Sequence, residues 1–288
     1  MDKCSHSCCV GWEIDVDSEA LKKYNKLPEE AKSIIISSID FSHGIPHFSL
    51  DSAQRCPHLD ENGLCRIIIR HGEDYLCDIC REHPRFYNET CYGTEAGLGM
   101  SCEAAAKIIL ESDNYDRFSL IGEIGEEREI TENFDAPKER AEIYGILKDS
   151  SLGFSEKLSQ IEKKYSVSPK HLECSEWRSI ILDLEYLSDD HKALFACFDT
   201  KTVLPTELEK YAERALAYYV FRHCSGEDSR DGFVMSLGFA LFCERLFSSL
   251  LLSSGKLDTD TAVRLAVAIS EEIEYSEDNT ETLRSEFF

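Results

Sequence analysis

Apolar residues recur along this chain mostly at spacings of three and four, the period of an amphipathic helix, rather than in strict alternation. Leu21, Tyr24 and Leu27 form the first such stripe, with Asp17 or Ser18 where an N-cap belongs. A second helix is predicted from Pro28 to Ile39, the proline in its first turn, and a short helix or strand-turn from Ile67 to Leu76. Cys102 opens another that runs through Ala104 to Leu110. Further along, Pro137 to Lys148 and Phe154 to Tyr165 are amphipathic, and Glu176 to Leu187 carries Trp177, Ile180, Ile181 and Leu184 on one face. Thr206-Glu207-Leu208-Glu209 has capping-box form ahead of a stripe of Leu208, Tyr211, Ala212, Ala215 and Tyr219. Phe233 to Leu252 is apolar on most sides and predicts the central helix of this half, ending near Gly255; Asp260 to Tyr275 adds one more.

Between these stripes the pattern lapses. Glu13 to Asp17 alternates as a short extended piece, Phe41 to Ser52 is irregular, and three glycines between Gly93 and Gly99 predict a flexible loop. Gly122 to Asn133 is strongly acidic and reads as the join between domains. The fold expected is mainly α, with a cysteine-rich, metal-binding N-terminal domain (residues 1–111) packed on a C-terminal helical, bundle-like domain (residues 112–288).

Composition adds limits. A chain of 288 residues with 42% hydrophobic content can bury a substantial core. Its 31 basic and 55 acidic residues leave a net charge of −24, which disfavours general binding to nucleic acid and favours a basic partner. Met1-Asp2-Lys3-Cys4 lacks the layout of a secretory signal, and Glu244-Arg245 interrupts the most apolar stretch, so a cytoplasmic protein without a membrane span is expected.

Cysteine distribution changes the picture most. Nine of 13 cysteines fall within the first 102 residues, and in a reducing compartment such clustering indicates metal ligands or redox groups. Cys4, Cys8 and Cys9 lie within six residues; Cys56 and Cys65 bracket the turn Asp60-Glu61-Asn62-Gly63; Cys77 and Cys80 form a C-x-x-C pair. Thiolates at these spacings suit structural zinc or a 4Fe-4S cluster, and spacing does not separate the two. Arg81 and Arg85 stand beside the thiols, where they can offset thiolate charge, bind an anion, or simply pair with Glu82 or Glu89. His43 and His47 are isolated loop histidines, better explained as polar surface. The C-x3-C-x2-C spacing of radical S-adenosylmethionine enzymes is absent, as is a Gly-rich strand-to-helix turn. Cys174, Cys197, Cys224 and Cys243 are scattered through the helical half and read as buried, inert thiols.

The run Cys8 to Asp17, Cys56 to Cys65, Leu76 to Arg85 and Ser101-Cys102 resembles the flagellin lysine-N-methylase family within the CxxCxxCC cysteine-cluster group. A weaker likeness extends to Tyr219-Val220-Phe221-Arg222 and to Ser270 through Asn279. The resemblance implies a protein-lysine methyltransferase of the bacterial flagellum that uses S-adenosylmethionine and a cysteine-ligated iron-sulfur or zinc centre. Its partner would be a protein substrate with exposed lysines, namely flagellin. The metal ligands it implies are Cys4, Cys8, Cys9, Cys56, Cys65, Cys80 and Cys102, with Cys77 and Cys91 outside the family positions. A non-catalytic metal-binding scaffold and a redox or metal-handling protein are the alternatives. Methyl transfer to lysine needs a neutral, aligned amine, so carboxylates and phenols near the thiols become candidates for catalysis: Asp15, Asp17 and Tyr75, with Arg81 and Arg85. Trp12, Arg81 and Arg85 are candidates for cofactor contact.

Overall fold

The computed structural model describes residues 7–42, 44–122, 134–170 and 173–287. Helices take 57% of the chain and strands 8%, so the protein is mainly α. The chain divides into two compact units, one comprising residues up to Arg85 together with Cys102–Ala104, the other Phe86–Ser101 and Ala105 onward. Much of the acidic stretch expected to join domains, and His43, lie outside the described residues.

In the first unit a 3-10 turn at Ser7–Cys9 precedes α1 (Ser18–Asn25) and α2 (Glu29–Ile36). Asp17 caps α1, its Oδ1 accepting from the amides of Glu19 at 3.0 Å and Ala20 at 2.9 Å, and the helix buries Ala20 and Tyr24. Two short antiparallel strands follow, β1 (Ile39–Asp40) and β2 (His47–Phe48), with Ile39 opposite Phe48. After these come α3 (Arg66–His71), a 3-10 turn at Glu73–Tyr75, and α4 (Asp78–Glu82). The core is small: Ile14, Val16, Tyr24, Ile35, Phe48, Leu59 and Ile67, with the thiols of Cys56 and Cys77 packed among them. Thiols are therefore part of what holds this unit together.

The second unit carries the hairpin strands β3 (Arg85–Thr90, from Phe86 on) and β4 (Gly93–Leu98), then α5 (Glu103–Glu111, from Ala105 on). The remaining helices are α6 (Ala136–Leu147), α7 (Phe154–Tyr165), α8 (Cys174–Asp183), α9 (Asp189–Phe195), α10 (Thr206–Cys224), α11 (Arg230–Ser254), α12 (Thr259–Ile269) and α13 (Glu277–Ser285), with a π turn at Ser270–Glu274. Helix α11 ends on Gly255 in the left-handed conformation at φ +64°, as a C-terminal glycine allows. By length and composition α11 could cross a membrane, but 83% of its most apolar window is buried inside the protein, the condition of a core helix. Around it pack Trp177, whose ring centroid lies 5.1 Å from that of Phe242, and Phe287, stacked on Trp177 at 5.5 Å.

Four local readings change. The glycine-rich segment is strand β4, which pairs with β3 and alternates half-buried and exposed positions. Thr90 also closes the hairpin, its hydroxyl donating to the carbonyl of Gly93 at 2.8 Å. Pro205 occupies the N-cap of α10 and Thr206 its first turn, so the capping box does not form. Helices α9 and α13 lacked a clear apolar stripe; α13 is held by Asn279, whose amide donates to the carbonyls of Glu185 at 2.8 Å and Glu272 at 2.7 Å. Of the dispersed cysteines, Cys224 and Cys243 are buried, whereas Cys174 and Cys197 are only half-buried.

Two residues of this unit give measurable consequences. A methyl group on Gly238 of α11 would lie 2.3 Å from Cγ of Phe287, so Gly238→Ala should displace that ring from Trp177 and cost roughly 1–3 kcal/mol in urea unfolding. An unchanged midpoint would refute that packing. Glu244 is fully buried: Oε1 accepts from the Ser248 hydroxyl at 2.5 Å, while Oε2 has no partner among the described residues. Burial pushes this carboxyl up to about 7. The folded state therefore holds a proton that the unfolded chain has released, and stability falls as pH rises from the ordinary glutamate range through 7. Roughly 3 kcal/mol is at stake for a shift of this size. Glu244→Gln should flatten the decline and be the more stable protein at pH 8, which paired unfolding curves at about pH 5 and pH 8 will read.

Candidate metal centre

Three stretches far apart in sequence bring their thiols together in the first unit. Residues 9–11 run antiparallel to residues 54–56: Val10 bridges to Arg55, the amide of Gly11 donates to the Gln54 carbonyl at 2.7 Å, and that of Cys56 to Cys9 at 2.8 Å. Gly11 takes φ +79°, the sharp bend that three near-adjacent cysteines require. The turn after Cys56 closes as its spacing predicts. Asp60 Oδ1 accepts from the amides of Asn62 and Leu64, both at 2.8 Å, Gly63 takes φ +73°, and Leu59 bridges to Cys65. The third stretch is α4, with Cys77 as its N-cap residue and Cys80 in its first turn.

The thiols affect one another strongly. Cys8 and Cys9 lie 3.9 Å apart at sulfur, and Cys9 is pushed far up by its hydrogen bond to Cys8, by burial and by the charges of Cys8, Cys56 and Cys65. Cys80 is likewise raised, by its hydrogen bond to Cys77, by burial, and by Cys77, Cys56 and Cys9. Burial pushes Cys56 up to about 11, with Cys65 and Cys77 adding to it. Cys77 moves the other way, held down by hydrogen bonds from Cys80 and from Tyr24, whose hydroxyl lies 3.3 Å from the sulfur. Six thiols thus form one electrostatically linked group: Cys8, Cys9, Cys56, Cys65, Cys77 and Cys80.

Such a donor set suits a soft, thiophilic metal, since several thiolates in a buried space repel one another unless a cation binds them. Among the described residues, no three groups of His, Cys, Asp or Glu are arranged closely enough to ligate an ion. The donor chemistry fits a metal, then, while the described side chains do not themselves close a coordination sphere. Cys4 lies outside the described residues, and Cys102 belongs to the same compact unit as the group. Cys91 sits in the turn between β3 and β4, in the second unit.

The other candidates fall as follows. Asp17 is a structural link: besides capping α1, its Oδ2 accepts from the amide of Asp78 at 2.8 Å, tying the starts of α1 and α4 together. Burial works to raise its carboxyl, but the amides it accepts from hold it below the usual range. Asp15 bridges to His47 through the backbone, and Tyr75 is half-buried with its ring 5.6 Å from that of His71. Arg81 pairs with Asp78 and, at 3.7 Å, with Glu82, while Arg85 donates to the Arg81 carbonyl at 3.1 Å. Both arginines are thereby engaged on their own helix or its carbonyl. Trp12 is half-buried in the first unit. Cys77, outside the positions that the family likeness implies, is buried and touches both Cys80 and Tyr24; its C-x-x-C spacing at a helix start is the sequence signal for it.

The first unit thus defines a thiol-rich, mainly helical protein with the donor chemistry of a metal centre. Comparison with known proteins makes this more particular. The chain is 30% identical over 118 residues, 38% of its length, to the flagellar biosynthetic protein FliU of Salmonella muenchen, and the match takes in 69% of that protein. It is also 30% identical over 118 residues to the lysine-N-methylases of Salmonella choleraesuis and Salmonella typhimurium, covering 29% of each. The chain belongs to the family of the flagellar biosynthetic protein FliU. It spans under a third of the length of the two lysine-N-methylases. No protein-family profile and no solved structure matches the chain.

Proposed function

We propose that this chain is a protein-lysine N-methyltransferase acting on flagellin in the cytoplasm, with S-adenosylmethionine as methyl donor and a thiolate-held iron-sulfur or zinc centre. The names of its relatives supply the reaction. The observation within this chain that supports it is the convergence of six cysteines from three separate stretches on one small core. Cys8, Cys9, Cys56, Cys65 and Cys80 would hold the metal, joined by Cys4 and Cys102, with Cys77 beside them. The bound metal would supply the cross-link that a unit with so few core residues needs. The donor supplies an electrophilic methyl group; the chain's part is to bind and orient a lysine and leave its amine neutral.

Anaerobic purification followed by metal and acid-labile sulfide analysis distinguishes zinc from an iron-sulfur cluster. The reading is tested by incubating metal-loaded protein with labelled S-adenosylmethionine and purified flagellin. Label on flagellin lysines is the expected result. An intact centre that transfers no methyl group would overturn it, and reversible oxidation of that centre would favour the redox or metal-handling alternative.

A further inference from the structure

Two segments that carry the weaker family likeness, at the end of α10 and in the turn before α13, meet inside the second unit around a cavity of about 690 Å³. Its floor is a buried polar triad. The Glu274 side chain is fully buried; its Oε1 lies 2.7 Å from His223 Nε2 and 3.3 Å from Arg222 Nε, and its Oε2 accepts from the Tyr218 hydroxyl at 3.1 Å. Arg222 in turn donates to the Tyr218 hydroxyl at 3.0 Å and lies over the ring of Phe86, 5.1 Å from its centre. The other lining cation, Arg284, pairs with Glu227 at 2.7 Å. Both positive charges at this cavity are therefore matched by carboxylates.

The mouth is different. Glu277 and Glu281, one turn apart on α13, line the cavity, are exposed, and have no charged or hydrogen-bonding partner among the described residues. Phe86 and Tyr87 supply aromatic wall beside them. Surplus negative charge next to aromatic faces selects a cation, and a cavity of this volume admits one on an aliphatic stem. His223 adds chemistry to the floor. A carboxylate can only accept, so the hydrogen bond to Glu274 places the imidazole proton on Nε2 and leaves the Nδ1 lone pair open. Nδ1 has no hydrogen-bond partner among the described residues. Burial holds the ring below the usual histidine range against the pull of Glu274, with Arg222 and Arg284 adding to the depression, so the imidazole is neutral and Nδ1 is a hydrogen-bond acceptor.

We propose that this cavity is the amine site of the protein: it takes the ε-ammonium of a substrate lysine between Glu277, Glu281 and the Phe86–Tyr87 wall, and His223, oriented by Glu274, accepts a hydrogen bond from it. The ammonium N–H donates to the Nδ1 lone pair and stays protonated in the bound state. This inference rests on the lysine-methylation reading and assigns that reading its acceptor pocket.

The test is calorimetric titration of the full chain with Nα-acetyl-lysine amide and with Nα-acetyl-norleucine amide, which lacks only the amine. Imidazole ¹⁵N spectra are recorded alongside. Lysine amide is expected to bind at least about tenfold more tightly than norleucine amide and to shift the His223 resonances. E277Q/E281Q, two exposed changes, should weaken lysine amide about fivefold to tenfold and leave norleucine amide unaffected. H223Q should weaken lysine amide binding, leave norleucine amide unaffected, and assign the His223 resonances. Equal affinity for the two amides, an unaffected E277Q/E281Q variant, or a silent His223 would each overturn the assignment. Methyl transfer to flagellin alongside any of these negatives would leave the methylase reading standing and place the amine elsewhere. Selective lysine amide binding without transfer would keep the pocket and discard the methylase reading.

Discussion

Replacing Glu274 by alanine is expected to destabilise the helical unit by roughly 3–5 kcal/mol, the range for breaking a buried pair by removing one partner. The reason is that Arg222 and His223 would keep their places without the carboxylate that serves them both. Arg222 Nε lies 3.3 Å from Glu274 and His223 Nε2 lies 2.7 Å from it, and both side chains are only 12% exposed. Burial works to raise the Glu274 carboxyl, but Arg222 and His223 more than offset this and hold it below the usual range. A depressed carboxyl adds stability that is present above the unfolded value and lost as pH falls through the folded one, so the variant should also lose part of the acid sensitivity of the wild type. Glu274→Gln keeps the shape and one acceptor and should fall between the two. Urea unfolding at neutral and acid pH measures all three proteins; a loss below about 1 kcal/mol for the alanine variant would show that the triad is solvated rather than buried.

Replacing Cys80 by serine is expected to have an effect of similar or larger size on the first unit, provided the proposed metal centre is present. For a structural metal the binding free energy is folding free energy, of order 10 kcal/mol for zinc in small domains. Cys80 is linked to Cys77, Cys56 and Cys9, so its loss removes the sulfur shared by all three stretches. Metal content should drop well below one equivalent and the first unit should become sensitive to protease. The second unit, with its own core of Phe233, Phe239, Phe242 and Phe247 on α11, should stay helical. Cys197→Ser, in the second unit, serves as the control and should leave metal content unchanged. A Cys80→Ser protein that keeps its metal and its protease resistance would remove Cys80 from the ligand set.

Helix type and approximate extent were legible wherever an apolar stripe faced a single core. Phe154 to Tyr165 coincides with α7, and the run from Phe233 to Leu252 lies within α11 and stops at Gly255. Legibility failed where something other than apolar periodicity supplied the stability. Helix α13 is docked by the hydrogen bonds of Asn279, which no hydrophobic pattern records. Strand β4 was obscured by its glycines. One of these, Gly97, is required because a Cβ there would lie 2.4 Å from the Phe86 ring and 2.5 Å from that of Phe221, a contact arising only after the hairpin and α10 have packed.

The site divides along the same line. Cysteine density, the turn between Cys56 and Cys65, and the family likeness are properties of local sequence, and they pointed to thiol chemistry without a structure. Which thiols meet depends on the pairing of residues 9–11 with 54–56 and on the seating of Cys77 against Tyr24; both are long-range contacts, and they bring Cys77 in among the other thiols. The same holds for Arg222, His223 and Glu274. As sequence these are a charged end of one helix and an acid in a distant turn, with some fifty residues between them. Only packing of that turn against α10 makes them one buried triad facing a cavity, because burial, charge pairing and hydrogen-bond direction are set by neighbours in space and not by neighbours in the chain.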